Sequence, residues 1–393
     1  MTKRLILFGL IFCLPFQLGY HFWLPQSFVA SFRLDYLSPT LYFVDLLILV
    51  YLLLSHQTIK LSLLFLALAT LNFFVASGNP VTLFAWLRLL EYYLLFQVLR
   101  SEENLVTKIK TPFLLSLTTI LFIALLQFIT QASLGGLFYL LGERPLSVLG
   151  SNIAKINFSF LHYTFQILRP YSTFSHPNSL AGYLLIVLVL LPLFTRSKGF
   201  IIVTAIVTIL TFSKAAILTL FLIGILNISF LWSLSLSFLV SLTPVLISVA
   251  NLPSWLQLSF ASRHYLLLPS LQIIQEHWLT GVGLRQFIPN LAKLLPGNQL
   301  SYQTLQPVHN TFLLIVSEIG TLGALVLIRL MLGFVHPLVK DQETRRYLSQ
   351  TAGIVLLTGS LDHYWWTLPQ NQLIIVLAFA LIINTYEQRR NHH

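Results

Sequence analysis

The residues of this chain able to do chemistry are few, and they gather at the ends of apolar runs. The stretch RPYSTFSHPNSLAGYLL, Arg169 to Leu185, sets an arginine, a histidine, an asparagine and several hydroxyls at the mouth of an apolar helix. Arg169 offers a planar fork of donors suited to phosphate oxygens, better than a lysine for bidentate contact. Ser175 or Asn178 is the expected helix cap, and Pro177 suits the first turn. The outward N–H groups of such an end, with an arginine nearby, make an anion site. An ordinary capped start accounts for Ser175, Pro177 and Asn178, but not for Arg169 or His176. In LQPVHNTFLLIVSEIGTLGALV, Leu305 to Val326, His309 ends a polar stretch and Asn310 caps the next apolar run. Asn310, Ser317 and Thr321 then recur at helical spacing in a stripe that approaches Glu318. An imidazole with a reference pKa of about 6.5 can accept a proton at neutral pH. A single interfacial histidine is more often a hydrogen-bonded wedge.

Two further stretches carry polar groups. In SRHYLLLPSLQIIQEHWLTGVGLRQF, Ser262 to Phe287, Arg263 and His264 open a helical stretch with Leu266, Leu267, Leu271 and Ile274 as an apolar side for lying along a membrane. Gly281 and Gly283 end it in a turn, and Arg285 follows. In LDHYWWTLPQNQ, Leu361 to Gln372, Asp362 and His363 are placed to orient an acceptor. Tyr364, Trp365 and Trp366 suit the membrane interface or stacking on a sugar. No Asp-x-Asp pair, HExxH, clustered carboxylates or P-loop occurs in the sequence, so it points to no metal and no nucleotide cofactor.

The elements that must position these groups are membrane spans. Of 393 residues, 56% are hydrophobic and only 9% charged, against about 25% charged in soluble domains; mean hydropathy is +0.81. The net charge of +11 fits basic loops against anionic lipid, and no nucleic-acid module is visible. The single cysteine, Cys13, excludes an internal disulfide. Lys3 and Arg4 start a segment without a small-residue cleavage site, read as an uncleaved span. Breaks at charge and Pro/Gly clusters predict spans near 4–23, 40–55, 60–76, 81–99, 112–130, 178–194, 199–212, 215–229, 231–250, 311–334, 348–362 and 371–386. The expected fold is therefore an all-α polytopic membrane protein of about 12 transmembrane helices, one domain over 1–393. Lys and Arg in short loops place both termini in the cytoplasm. Two long segments, 131–177 and 251–310, then face outward with interfacial helices. They carry Arg and His against one acid each, Glu143 and Glu276. Within the spans, Arg88 is expected to pair with Glu91 one turn away, leaving Asp45, Glu318 and Arg329 without evident partners.

Read together, LRPYSTFSHPNSLAGYLL, LTFSKAAIL, SRHYLLLPSLQII…HWLTGVGLRQF, LQPVHNTFLLIVSEIGTLGAL and LDHYWWTLPQNQ resemble, in order and spacing, the O-antigen ligase superfamily. The resemblance runs from about Leu168 to Leu381. It implies a membrane glycosyltransferase of the C-type class in the bacterial cytoplasmic membrane. Such an enzyme moves a glycan from a polyprenyl (undecaprenyl) diphosphate carrier to an acceptor hydroxyl on a lipid, glycan or protein, at the outer face, without metal or nucleotide. By position His309 matches the family's catalytic histidine, and Arg169 and Arg263 match its diphosphate-binding arginines. Lys214 stands where the family usually has Arg, Ala215 where it has a small glycine, and Ser172 where Gly is common. His176, Asn178, Asn310, Arg285, Asp362 and His363 would support the site. A polysaccharide polymerase shares the donor chemistry. Other readings are Asp35 in FRLDYLSPT as an acidic base, and a transporter or flippase for a lipid-linked sugar.

Overall fold

The computed structural model describes the chain apart from residues 56, 58–59, 151–152, 161–162, 226–227, 250–253, 336–340 and 392–393. The side chains of 158–160, 163–164, 225, 242–249, 254–264, 335 and 391 lie outside the description as well. The protein is mostly helical. Helix α1 (Thr2–Cys13) is followed by four short strands, β1 (Gly19–His21), β2 (Phe28–Val29), β3 (Phe32–Arg33) and β4 (Thr40–Tyr42). β1 pairs antiparallel with β4, and β2 with β3. The span expected over 4–23 is thus helical only to Cys13, because Pro15 has no N–H to continue the ladder, and the rest folds as a small β cap.

Next come α2 (Phe43–Leu53), α3 (Leu63–Val75), α4 (Pro80–Arg100) and α5 (Leu105–Thr130). Segment 131–177 carries a short 3-10 helix (Gly136–Leu141) with Leu137 and Leu140 exposed, and also a β-hairpin, β5 (Lys155–Phe160) and β6 (Tyr163–Leu168), that the sequence reading does not anticipate. KINFSF alternates apolar and polar residues with period two, which suits a strand. The chain continues through α6 (Pro177–Phe194), α7 (Lys198–Leu210), α8 (Lys214–Thr219), α9 (Phe230–Val249), α10 (Ser254–Glu276) and α11 (Phe287–Leu294). It ends with α12 (Thr311–Val335), α13 (Gln342–Gly359), the single turn α14 (Tyr364–Thr367) and α15 (Pro369–Asn391). Among the described residues, α4, α5, α6, α12 and α15 are long and apolar enough to cross a membrane, and five more helices are apolar but shorter. The chain is a polytopic membrane protein.

Helix α6 is the axis of the molecule. Leu, Ile and Val surround it on every side, as in a helix buried all round, and it packs against α5, α7, α13 and α15. Gly182 admits the Tyr364 ring, which would lie 2.5 Å from any added Cβ. That approach seats α14, and with it residues 362–363, on the start of α6. A second apolar cluster joins Leu34 and Leu37 of the first loop to Leu266, Phe287, Leu305 and Val308. In α10 the buried side is Leu266, Leu267, Ser270 and Ile273, while Leu271 stays exposed. That helix packs inward on α12, and the apolar side expected to face lipid is offset from the observed one.

Buried charges pair across helices rather than along them. Arg88 meets Asp45 at 2.8 Å, so its partner lies on α2, not at Glu91. In α12 the helix breaks at Gly320, whose φ of 68° suits glycine. There the chain crosses the Gly281 turn so closely that Val282 and Gly283 donate to the Ser317 and Glu318 carbonyls at 2.9 Å.

Candidate functional site

Three connections meet at one end of α6 and α12: the 169–178 lead-in, residues 307–310, and the 361–367 turn. Each is fixed by backbone bonds. Asn310 caps α12 as expected, its Oδ1 accepting from the N–H groups of Phe312 and Leu313 at 3.0 and 3.1 Å. Its Nδ2 donates to the Ser360 carbonyl at 3.2 Å. Thr311 donates to the Asp362 carbonyl through its N–H at 3.1 Å and its hydroxyl at 2.8 Å. The start of α12 and the Asp362 turn are thereby locked together.

This locking stacks His309 on His363, with centroids 5.4 Å apart and planes inclined by 29°. Asp362 lies beside them. Its Oδ1 accepts from the His363 backbone N–H at 2.8 Å and its Oδ2 from Asn178 Nδ2 at 2.9 Å. Asn178 in turn accepts on Oδ1 from Arg169 Nη2 at 2.6 Å, and Arg169 Nε donates to the Thr211 carbonyl at 2.6 Å. A continuous chain of bonds therefore runs from Arg169 through Asn178 and Asp362 to the backbone of His363. The cap of α6 is neither Ser175 nor Asn178 but His176, whose Nδ1 accepts from the Asn178 N–H at 3.1 Å. With Nδ1 accepting, the neutral ring carries its proton on Nε2. Pro177 occupies the first turn as expected.

The local electrostatics set the protonation states. Burial pushes His363 down to about 4, against the opposing pull of Asp362. His176 is also lowered to about 4, again chiefly by burial. Burial alone would raise the Asp362 carboxyl, but His363, His309, His176 and the Asn178 amide outweigh it and hold the group down to about 2. Arg169 is lowered to about 10 by burial and still remains a cation at neutral pH. An ionised carboxylate thus sits among histidines, of which His176 and His363 are neutral.

A cavity of about 260 Å³ has His363 in its wall. Its walls include His21, Asp35 and Tyr36 of the first loop, Arg88, Arg144, Arg285 and Trp366. Arg285 lies over the Tyr36 ring, 4.6 Å from its centroid, and donates from Nη2 to the Thr367 carbonyl at 3.1 Å. Its backbone N–H reaches Glu318 Oε1 at 2.9 Å. Glu318 also accepts from Tyr36 and, at 2.7 Å, from Trp366 Nε1, so this acid, without evident partners in the sequence, is fully occupied.

Of the residues singled out from the sequence, His309, Asp362, His363, Asn178, Arg169 and His176 form one cluster, while Asn310 holds its scaffold. Lys214 starts α8, exposed, three residues beyond the Thr211 that receives Arg169. Arg263 belongs to α10, but its side chain is outside the described residues. Arg285 faces the cavity. Ser317 bonds back to the Leu313 carbonyl, and Thr321 bonds to the Trp278 carbonyl, so that stripe is structural. Thr367, whose hydroxyl lies 2.9 Å from His363 Nδ1, and Tyr36 were not singled out. The spacing of four from His363 is the one signal that marks Thr367. Folding also assembles a group that the sequence does not display as a cluster: ligand atoms of His309, Asp362 and His363 lie within 4.8 Å of one another, an arrangement able to hold a divalent ion.

No curated protein matches the chain. Residues 181–328 match a family model described as O-antigen ligase, a stretch holding Lys214, Arg263, Arg285, His309 and Asn310; Arg169, His176, Asn178, Asp362 and His363 fall outside it. Over that stretch the chain is similar to the O-antigen ligase family.

Proposed function

We propose that the protein transfers a glycan from a polyprenyl diphosphate carrier to an acceptor hydroxyl at the outer face of a bacterial cytoplasmic membrane, as a twelve-span single domain with both termini inside. The observation that carries this reading is the convergence of His309, stacked on His363, with Asp362, Asn178 and Arg169 in one cluster beside a cavity. His309 accepts the proton of the acceptor hydroxyl as its oxygen bonds to the anomeric carbon. The bond from that carbon to the diphosphate breaks, and direct displacement inverts the centre. Asp362, ionised beside the imidazoles, stabilises the imidazolium that forms. Arg169, with Arg263 and Lys214, holds the charge growing on the departing diphosphate, stabilisation placed where charge develops.

In this reading His309 acts as a base and not as a metal ligand, although it belongs to the potential ligand group. The test uses purified protein with a lipid-linked glycan and an acceptor. His309→Ala keeps carrier binding and loses transfer by about 10²–10⁴-fold, the usual worth of general-base help. Wild-type transfer persists in chelator. Near-normal transfer by the variant removes His309 from the mechanism; activity abolished by EDTA and restored by Zn²⁺ replaces the base with a metal. Product length separates ligation of a finished glycan from polymerisation.

A further inference from the structure

The cavity beside His363 is walled largely by groups that the transfer step does not use. Three are arginines, and they differ in what they face. Arg88 is paired with Asp45 at 2.8 Å. Arg144 is half-exposed and only loosely matched, 4.0 Å from Asp35. Arg285 takes part in no ion pair among the described residues; its Thr367 and Tyr36 contacts fix its position. The Glu318 oxygens nearby are already taken by Tyr36, Trp366 and the Arg285 backbone N–H. Among the charged side chains that line the cavity, Arg88, Arg144 and Arg285 stand against one acid, Asp35, and the Arg285 guanidinium is held in place before any ligand arrives.

Its other features suit a sugar. Tyr36 and Trp366 offer flat apolar surface of the kind that meets the C–H face of a pyranose ring, their polar edges being held by Glu318. At about 260 Å³ it falls just below the usual ligand-pocket range of about 300–1,000 Å³, room for one ring rather than a chain. His363 forms part of its wall and His309 stacks on His363, so a ring seated there abuts the neighbour of the proposed base, one imidazole away from it. Arg169 joins the cluster through Asn178 and Asp362, none of which lines the cavity. If the diphosphate is held on the Arg169 side, the cavity is left for the acceptor.

We propose that this cavity is the subsite for a single acidic sugar of the acceptor, its carboxylate held by Arg285 and Arg144 and its ring set against Tyr36 and Trp366. The inference rests on the transfer reading for the word acceptor, but binding can be tested without transfer. Full-length protein in detergent is probed by saturation-transfer NMR with D-glucuronate, D-glucose and inorganic pyrophosphate. Glucuronate binds, glucose gives a much weaker signal, and equimolar pyrophosphate leaves the glucuronate signal in place. Arg285→Gln weakens glucuronate binding about tenfold, the worth of one charge-assisted hydrogen bond. Arg144→Gln, at an exposed position that does not threaten folding, weakens it in the same direction. Equal signals from glucose and glucuronate overturn the proposal, as does indifference to both substitutions. Displacement by equimolar pyrophosphate also overturns it and assigns the cavity to the carrier's diphosphate. With acceptors ending in glucuronate or glucose, Arg144→Gln lowers the acidic-to-neutral preference in kcat/KM about tenfold, and an equal loss for both acceptors counts against the subsite. His309→Ala keeps glucuronate binding. A wild-type chain that binds glucuronate but transfers nothing leaves the acidic-sugar site standing and defeats only the transferase reading.

Discussion

Two carboxylates, Glu318 and Asp362, sit at the same end of the molecule and have opposite neighbourhoods. Glu318 is inaccessible, and its oxygens accept from a phenol, an indole and a backbone N–H. None of those donors changes charge near neutral pH. Asp362 accepts from an amide and a backbone N–H, but its surroundings are imidazoles. The first network ties the first loop, α12 and α14 together. The second keeps a negative charge beside rings that can take up a proton. Burial of an acid by itself therefore says little about catalysis here; what surrounds it decides.

Removing each acid should separate the two roles. Glu318→Ala leaves Tyr36, Trp366 and the Arg285 N–H without an acceptor, at about 1–3 kcal/mol for each buried group. The expected outcome is the largest of the set: a sharply lowered Tm in detergent or loss of folded protein. Asp362→Asn retains shape but turns one of two accepting oxygens into a donor, so the Tm should fall by the worth of one lost bond, about 1–3 kcal/mol, less than in Glu318→Ala, while kcat falls about tenfold to a hundredfold. If the two variants behave alike, in either direction, the contrast between the networks is wrong.

Arg169 tests the boundary between the roles, because it both braces Asn178 and is proposed to clamp phosphate. Its Nε and Nη2 donate in two directions, to Thr211 and Asn178. A lysine keeps the charge but cannot reproduce that fork. Arg169→Lys should lower transfer about tenfold, the scale of one lost charge-assisted bond, whereas exposed Arg390→Lys changes nothing. A loss confined to kcat marks the brace acting through Asn178 and Asp362. A raised KM for the carrier marks the clamp, and no difference from Arg390→Lys rejects both.

How far the sequence reveals this arrangement depends on the range of each interaction. The apolar runs between charged and Pro/Gly breaks correspond to helices, since burial in lipid or core is decided segment by segment. His309 next to Asn310, and Asp362 next to His363, are likewise visible as local pairs. The bond from Asn178 to Asp362 joins residues 184 apart, and the Arg88–Asp45 pair spans 43. Nothing local announces either one, which is why Arg88 reads as the partner of Glu91. The small β cap at residues 19–42 is hidden for another reason: its strands are two or three residues long, too short for period-two alternation to register. One wall of the cavity comes from that cap.

The smallest expected effect concerns pH, and it again sets the Asp362 cluster apart from Glu318. His176 and His363 are each held at about 4 in the folded protein, whereas an unfolded chain protonates histidine near 6.5. Between those values the unfolded chain binds more protons, so stability falls as the pH drops from about 6.5 toward 4. Asp362 adds nothing to that slope: its carboxyl is held at about 2, so its contribution is full above the unfolded value of about 3.9 and fades only below it. Tm measured from pH 7.5 to pH 5 should therefore decline, and the decline should be shallower in His176→Asn, which keeps a side chain able to cap α6. A wild-type Tm that stays level across that interval would mean the histidines are not held neutral, and the Asp362 neighbourhood would then resemble that of Glu318 more closely than its geometry implies.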